Sequence, residues 1–160
     1  MDRSVTRATR NSRFVSASPE AVYAAFLDPE ALAEWLPPGS MTGKVHAFER
    51  RVGGGYVMSL FYPEMEEARG KTAAREDRVH VRFLALEPGR RIVEAVTFET
   101  DQPSLQGEMT LTVTLTPAPG GTEVELLFEN LPPGLRPEDN EEGGRLSLEQ
   151  LARWLESKTG

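Results

Sequence analysis

The sequence contains no cysteine and only two histidines, His46 and His80. The absence of cysteine excludes disulfide bonds, thiolate metal sites and a cysteine nucleophile. Neither histidine belongs to a His-Glu-x-x-His motif or stands at metal-ligand spacing from other ligand residues, so we expect both to lie on the polar faces of strands. We therefore predict no metal site and no cofactor.

Long apolar runs are absent too. No run approaches the ~18 residues of a membrane span, and residues 1–10 lack the apolar stretch of a signal peptide. The net charge of -7 repels phosphate backbones. These features predict a cytoplasmic protein that neither inserts into a membrane nor binds nucleic acid.

Two common catalytic motifs are missing as well. The triple glycine Gly53-Gly54-Gly55 is not followed by a Lys-Ser/Thr pair or by a helical pattern, so it predicts a hairpin turn or bulge and not a phosphate-binding loop. There is no Gly-x-Ser-x-Gly elbow, and Ser59 lies in mid-strand without a neighbouring base. Serine hydrolysis is therefore not expected.

The chain that remains has 160 residues, 39% of them hydrophobic, which is the usual size of a single domain. We expect residues 1–9 to form a flexible lead-in and residues 13–17 to form a short strand. Ser18-Pro19 and Asp28-Pro29 each pair an N-cap residue with a proline that suits a first helical turn. They predict two short helices, the second over residues 30–36.

The periodicity changes to two after Gly43, apart from an acidic loop that we expect at residues 63–70. The alternating segments predict strands at residues 44–51, 56–62, 78–83, 92–98, 109–115 and 123–128. With the first strand this makes about seven strands at hairpin spacing, which favours an antiparallel sheet.

A long helix is predicted over residues 137–156. Leu148, Leu151, Ala152 and Leu155 follow the i, i+3, i+4, i+7 spacing of an apolar stripe. A sheet that is wet on one face needs a cover on the other, and this helix is long enough to supply it. The sequence therefore predicts an α+β fold in which a helix packs over a sheet.

Glu94 is the side chain most suggestive of chemistry. It shares a strand face with Ile92, Val96 and Phe98, so on an inward face its carboxyl group would enter an apolar interior. Such a group must find partners or stay protonated, and either outcome suits a ligand-orienting or proton-transferring role. The opposite phase stays open, because one strand does not determine which face is inward.

Short motifs occur in order along nearly the whole chain. They are Ser18-Pro19-Glu20-Ala21-Val22-Tyr23, Asp28-Pro29, Trp35, Phe48-Glu49-Arg50-Arg51-Val52-Gly53-Gly54, Leu86-Glu87-Pro88, Arg91-Ile92-Val93-Glu94, Gly107-Glu108-Met109-Thr110, Gly120-Gly121-Thr122, Glu129-Asn130-Leu131-Pro132-Pro133-Gly134 and Glu138-Asp139-Asn140-Glu141. In this order and spacing the chain resembles the START-like (SRPBCC) superfamily, in the branch of the activator of the ninety-kilodalton heat-shock protein's ATPase.

The resemblance implies one START-like domain over residues 1–160 with a helix-grip fold. In that fold the sheet curves around the C-terminal helix and leaves an apolar cavity open toward the two short helices. The chain departs from the branch at Gly143-Gly144, where Gly-Trp is usual. Two glycines in a helix suggest close approach, a kink or a wider cavity mouth.

Large apolar side chains at strand and helix spacing are ordinarily core residues. On the resemblance, we expect part of this set to line the cavity, with Glu94 as the candidate catalytic residue. The predicted cavity residues are Trp35, Tyr56, Met58, Phe83, Glu94, Val96, Phe98, Met109, Leu111, Phe128, Gly144, Leu148 and Leu151.

The function implied by the resemblance is the binding of a small apolar or aromatic molecule, without a cofactor. One alternative is a co-chaperone-like interaction module that stimulates a chaperone ATPase and has a filled core. Another is a cyclase-like or hydrolase-like enzyme that uses the same cavity. The resemblance favours a binding protein over an enzyme, either as a monomer or as a homodimer.

Overall fold

A computed structural model describes residues 7–63 and 76–159 of the chain. The helices are α1 (Pro19–Phe26), α2 (Pro29–Trp35) and α3 (Pro137–Thr159), and a short 3-10 turn spans Pro103–Leu105. The strands are β1 (Ala8–Val15), β2 (Thr42–Glu49), β3 (Gly55–Phe61), β4 (Glu76–Glu87), β5 (Arg91–Phe98), β6 (Met109–Ala118) and β7 (Gly121–Glu129).

The strands form one antiparallel sheet in the order β1-β7-β6-β5-β4-β3-β2. The sheet curves around α3, which packs against β1, while α2 packs against β2 near the opposite edge. The apolar stripe of α3 faces inward, and Leu148, Leu151, Ala152 and Leu155 are all buried. The predicted α+β helix-grip fold is confirmed.

Capping positions the two short helices as the sequence predicts. The Ser18 hydroxyl accepts a hydrogen bond from the Ala21 amide at 3.1 Å, and the Asp28 carboxylate accepts one from the Glu30 amide at 3.0 Å. Each bond satisfies an amide that the first helical turn leaves unpaired. The Trp35 indole then donates to the Ala25 carbonyl at 3.1 Å and joins α1 to α2.

The bounds of two strands differ most from those predicted from the sequence pattern. β1 pairs with β7 from Ala8 to Val15, so it begins inside the expected lead-in and ends before the expected strand does. β4 runs to Glu87 because a bulge between Phe83 and Ala85 lets pairing with β5 continue. Residues 1–6 of the lead-in, and the expected loop from residue 64 onward, lie outside the described residues.

Gly143 and Gly144 differ in the space that surrounds each of them. A Cβ atom on Gly144 would collide with the side-chain oxygen of Asn11 in β1, whereas Gly143 has no atom within 4 Å of such a position. The Asn11 side-chain amide also donates to the Glu141 carbonyl at 3.0 Å. Gly144 therefore allows β1 to approach α3 closely, which is one of the three roles suggested from the sequence.

Alanine substitutions should separate these two glycines. Gly143→Ala should raise the free energy of unfolding by about 1 kcal/mol, because alanine favours a helix and the site is open. Gly144→Ala should be less stable than Gly143→Ala by about 1–2 kcal/mol, because Asn11 must move and give up its hydrogen bond. Urea unfolding of both variants measures the difference, and equal stabilities would contradict the assignment.

Candidate functional site

A cleft of about 950 Å³ lies between the inner face of the sheet and the N-terminal half of α3. Its walls are mostly apolar side chains that the strands present at every second residue. The lining residues from the sheet that are apolar or aromatic are Tyr56, Leu60, Val79, Val81, Val96, Phe98, Met109, Leu111, Leu126 and Phe128. Residues 38–41, 134–136, 139–140 and 142–144 border the cleft on the helical side.

Nine of the residues predicted to line a cavity do line this cleft. They are Trp35, Tyr56, Glu94, Val96, Phe98, Met109, Leu111, Phe128 and Gly144. The other four, Met58, Phe83, Leu148 and Leu151, are buried core residues that do not line the cleft. They have the predicted inward direction, but they are packed among other core side chains and so border no open space.

Glu94 points inward and is 3% exposed. In β5 it lies opposite Phe83 of β4 and Leu111 of β6, so apolar side chains flank it on both sides. Within residues 7–63 and 76–159 its carboxyl group makes no hydrogen bond and no ion pair. Burial alone raises the pKa of Glu94 from the ordinary 4.5 to about 8. At neutral pH this side chain is therefore mostly a neutral acid that can donate a hydrogen bond.

Tyr56 lies two strands away from Glu94, on the same inner face. Its ring stacks on Phe48, with ring centroids 5.3 Å apart, and only 6% of the residue is exposed. Burial raises the pKa of Tyr56 well above its ordinary value, and the nearby Glu94 carboxylate raises it further. The hydroxyl has no hydrogen-bond partner in the described part of the chain, so Tyr56 brings a second polar group without a partner to the cleft.

A second buried carboxylate in the cleft was missed by the sequence analysis. Asp77 is 4% exposed and accepts a hydrogen bond from the Tyr62 hydroxyl at 2.7 Å. The signal was available, because Asp77 precedes Val79 and Val81 at a spacing of two and therefore shares their inward face. Unlike Glu94, this carboxylate already has a donor from the protein.

The rim of the cleft between α2 and β2 is attached to α3. The Gln150 side-chain amide donates to the backbone carbonyls of Trp35 and Pro37, both at 2.8 Å, and its oxygen accepts from the Gly39 amide at 2.8 Å. The Ser147 hydroxyl donates to the Leu36 carbonyl at 2.6 Å. Four hydrogen bonds from two α3 side chains therefore fix this rim.

Ser59 has a histidine beside it, contrary to the expectation that no base is near. The His46 ring nitrogen Nε2 lies 2.7 Å from the Ser59 hydroxyl, because β2 pairs with β3 and brings the two side chains together. The serine hydroxyl donates to Glu76, and this bond, together with Arg78, lowers the pKa of Glu76. Ser59 has no exposed surface, so it is not placed to attack a substrate.

Over residues 7–63 and 76–159, no cluster of three or more histidine, aspartate or glutamate side chains is arranged to hold a metal ion. His80 lies on the outer face and is 2.9 Å from the Glu99 carboxylate. His80 and Glu99 therefore form an exposed pair on the outer face of the sheet.

An antiparallel sheet that curves around a long C-terminal helix, with an apolar cleft between them, defines a helix-grip α+β protein. The chain belongs to the family described as "Activator of Hsp90 ATPase homolog 1-like protein", whose model matches residues 16–156. The resemblance stated from the sequence motifs is confirmed. A search of curated proteins gives no match.

Solved structures with the same fold come from several bacteria. Protein CV1439 from Chromobacterium violaceum is 37% identical, with a TM-score of 0.83 over 94% of this chain and 97% of that one. The Mll3558 protein from Rhizobium loti is 28% identical, with a TM-score of 0.71 over 93% and 96%. A Rhodobacter sphaeroides protein at 22% identity has a TM-score of 0.77 over 94% and 93%, which shows the fold alone.

Hydropathy along the helices gives one further finding. None of the helices in the described residues is both long enough and apolar enough to cross a membrane.

Proposed function

We propose that this protein binds a small apolar or aromatic molecule in the cleft between the sheet and α3. The observation that carries the proposal is a space of about 950 Å³ with mostly apolar walls and a buried carboxyl group, Glu94, that has no partner among the described residues. Ligand sites typically have volumes of roughly 300–1,000 Å³ and mostly apolar walls with few polar groups. Membership of the family is consistent with ligand binding.

Titration with N-phenyl-1-naphthylamine tests the proposal, because this neutral probe fluoresces strongly in apolar surroundings. The wild type should bind it. Leu111→Trp, which fills part of the cleft from β6, should weaken binding at least about tenfold, or about 1.4 kcal/mol, because the larger ring occupies space that the probe needs. Thr112→Trp places the same bulk on the opposite face of the same strand and should bind like the wild type.

Two results would overturn this proposal. One is a wild-type protein that does not bind the probe, and the other is binding by Leu111→Trp that equals binding by Thr112→Trp. Native mass spectrometry of freshly purified protein gives an independent readout, in which a small adduct on the wild type should be absent from Leu111→Trp.

The family description suggests a second candidate function, stimulation of a chaperone ATPase. Large apolar side chains on the surface would suit such contacts. Phe14, Val52, Phe61 and Leu84 are between 36% and 56% exposed. An Hsp90 ATPase assay distinguishes the two functions, because stimulation that survives Leu111→Trp would not depend on the cleft.

A further inference from the structure

We propose that Glu94 and Tyr56 together hold a carbonyl oxygen of the bound molecule, so that the cleft selects apolar ligands that carry a ketone, aldehyde, ester or amide. This inference rests on the proposed ligand-binding function and adds the chemical class of the ligand. It starts from two polar side chains that the fold turns into the same apolar space.

The sheet register places these two groups on the same face of the sheet, with one strand between them. Tyr56 of β3 pairs with Val81 of β4, and Val81 pairs with Val96 of β5. Glu94 is two residues before Val96 on the same strand face, so it lies diagonally across β4 from Tyr56. Both side chains line the cleft and are at least nine-tenths buried. They are therefore held on one wall of the cleft by β3 and β5, which lie on either side of β4.

Neither side chain has a hydrogen-bond partner among the described residues, although most buried polar groups in proteins have one. Asp77, the other buried carboxylate of the cleft, does have such a partner, because the Tyr62 hydroxyl donates a hydrogen bond to it. A protonated carboxyl group and a phenol can each donate one hydrogen bond, so a ligand atom that takes both bonds accepts two. A carbonyl oxygen has the two lone pairs that this requires.

The electrostatics keep both groups in their donor forms. Burial raises the pKa of both Glu94 and Tyr56, and no cation contributes to the pKa of Glu94. A tyrosine beside a carboxylic acid that an apolar site keeps neutral is an effective way to bind a carbonyl oxygen. Among the residues that the structure describes, the other ionisable side chains that line the cleft are Tyr62, Asp77, Arg136, Asp139 and Glu142.

A matched pair of ligands tests the inference, 2-acetylnaphthalene with a ketone and 2-ethylnaphthalene without one, each displacing N-phenyl-1-naphthylamine. The readout is the ratio of the dissociation constant of the ethyl compound to that of the acetyl compound. Tyr56→Phe and Glu94→Leu should each lower this ratio roughly fivefold, the effect of one hydrogen bond. Tyr23→Phe removes a hydroxyl from α1 that does not line the cleft, and it should leave the ratio unchanged.

The outcomes separate this inference from the proposed function. If the probe binds but the ratio is the same in the wild type, Tyr56→Phe and Glu94→Leu, the inference is wrong and the proposed function stands. If the wild type binds no probe, the proposed function fails and the inference fails with it. Preferential binding of 1-naphthylmethylamine over 2-acetylnaphthalene would also overturn the inference, because it would show that the pair acts as an acceptor.

A measurement on the wild type alone covers the case in which a variant does not fold. The carbonyl stretching band of bound 2-acetylnaphthalene should lie at lower frequency than in hexane, because hydrogen bonds weaken the C=O bond. The shift should diminish as the pH rises past about 8, where Glu94 loses the proton it donates. A band at its hexane position at pH 6 would overturn the inference.

Discussion

Glu94→Gln should be more stable than the wild type at pH 9 and close to it in stability at pH 5. Burial raises the pKa of Glu94 from 4.5 to about 8. Between these values the folded protein keeps a proton that the unfolded chain loses, so rising pH favours unfolding of the wild type. Below about pH 4.5 both states are protonated, and above about pH 8 both are ionised and the loss of stability is complete.

The expected size of this effect follows from the separation of the two pKa values. At about 1.4 kcal/mol for each pH unit, the wild type should lose on the order of 3–5 kcal/mol of unfolding free energy between pH 5 and pH 9. Glutamine is similar in shape to the neutral acid and does not titrate. The Glu94→Gln variant should therefore lack this loss.

Urea unfolding at pH 5, 7 and 9 provides the measurement. Glu123→Gln is a suitable control, because Glu123 is an exposed carboxylate on β7 and the variant should follow the wild type at each pH. Parallel stability curves for the wild type and Glu94→Gln would mean that Glu94 is not buried as a neutral acid.

Leu151→Ala should destabilise the protein far more than Leu111→Ala. Leu151 has no exposed surface and lies in the core, so its truncation loses apolar burial and leaves a cavity, with an expected cost of about 2–5 kcal/mol. Leu111 is half-buried and borders the cleft, where space already exists. Its truncation should cost about 1 kcal/mol, because little new cavity forms.

Thermal and urea unfolding of both variants measure this difference, and probe binding adds a second readout. Leu111→Ala should still bind N-phenyl-1-naphthylamine, with an altered affinity, because Leu111 lines the space that the probe would occupy. Equal destabilisation by the two substitutions would show that Leu111 is packed as tightly as Leu151. The cleft would then not extend to the Leu111 side chain.

Much of the fold could be predicted because its signals are local. The caps at Ser18 and Asp28 mark both short helices, and the stripe through Leu148 and Leu151 marks the face of the long helix. β1 is different, since its pairing with β7 joins Ala8 to Glu129 across the length of the chain. Its own residues alternate too weakly to indicate where the strand begins.

The candidate site depends on features that a sequence does not contain. The inward phase of Glu94 needed the register of β5 against β4 and β6, and the separation of core from cleft residues needed the position of α3. Met58 and Tyr56 share a strand face, yet only Tyr56 borders the cleft. The contact between Ser59 and His46 likewise arises from strand pairing and not from sequence proximity.

The attachment of the cleft rim to α3 has a kinetic consequence. Gln150 and Ser147 hold the backbone of residues 35–39 with four hydrogen bonds, so this rim is not free to act as a closing flap. On the proposed function, a small molecule that enters on this side would not have to wait for a slow opening of the rim. Ligands of similar size should therefore share association rates, and their differences in affinity should reside in how long each one stays bound.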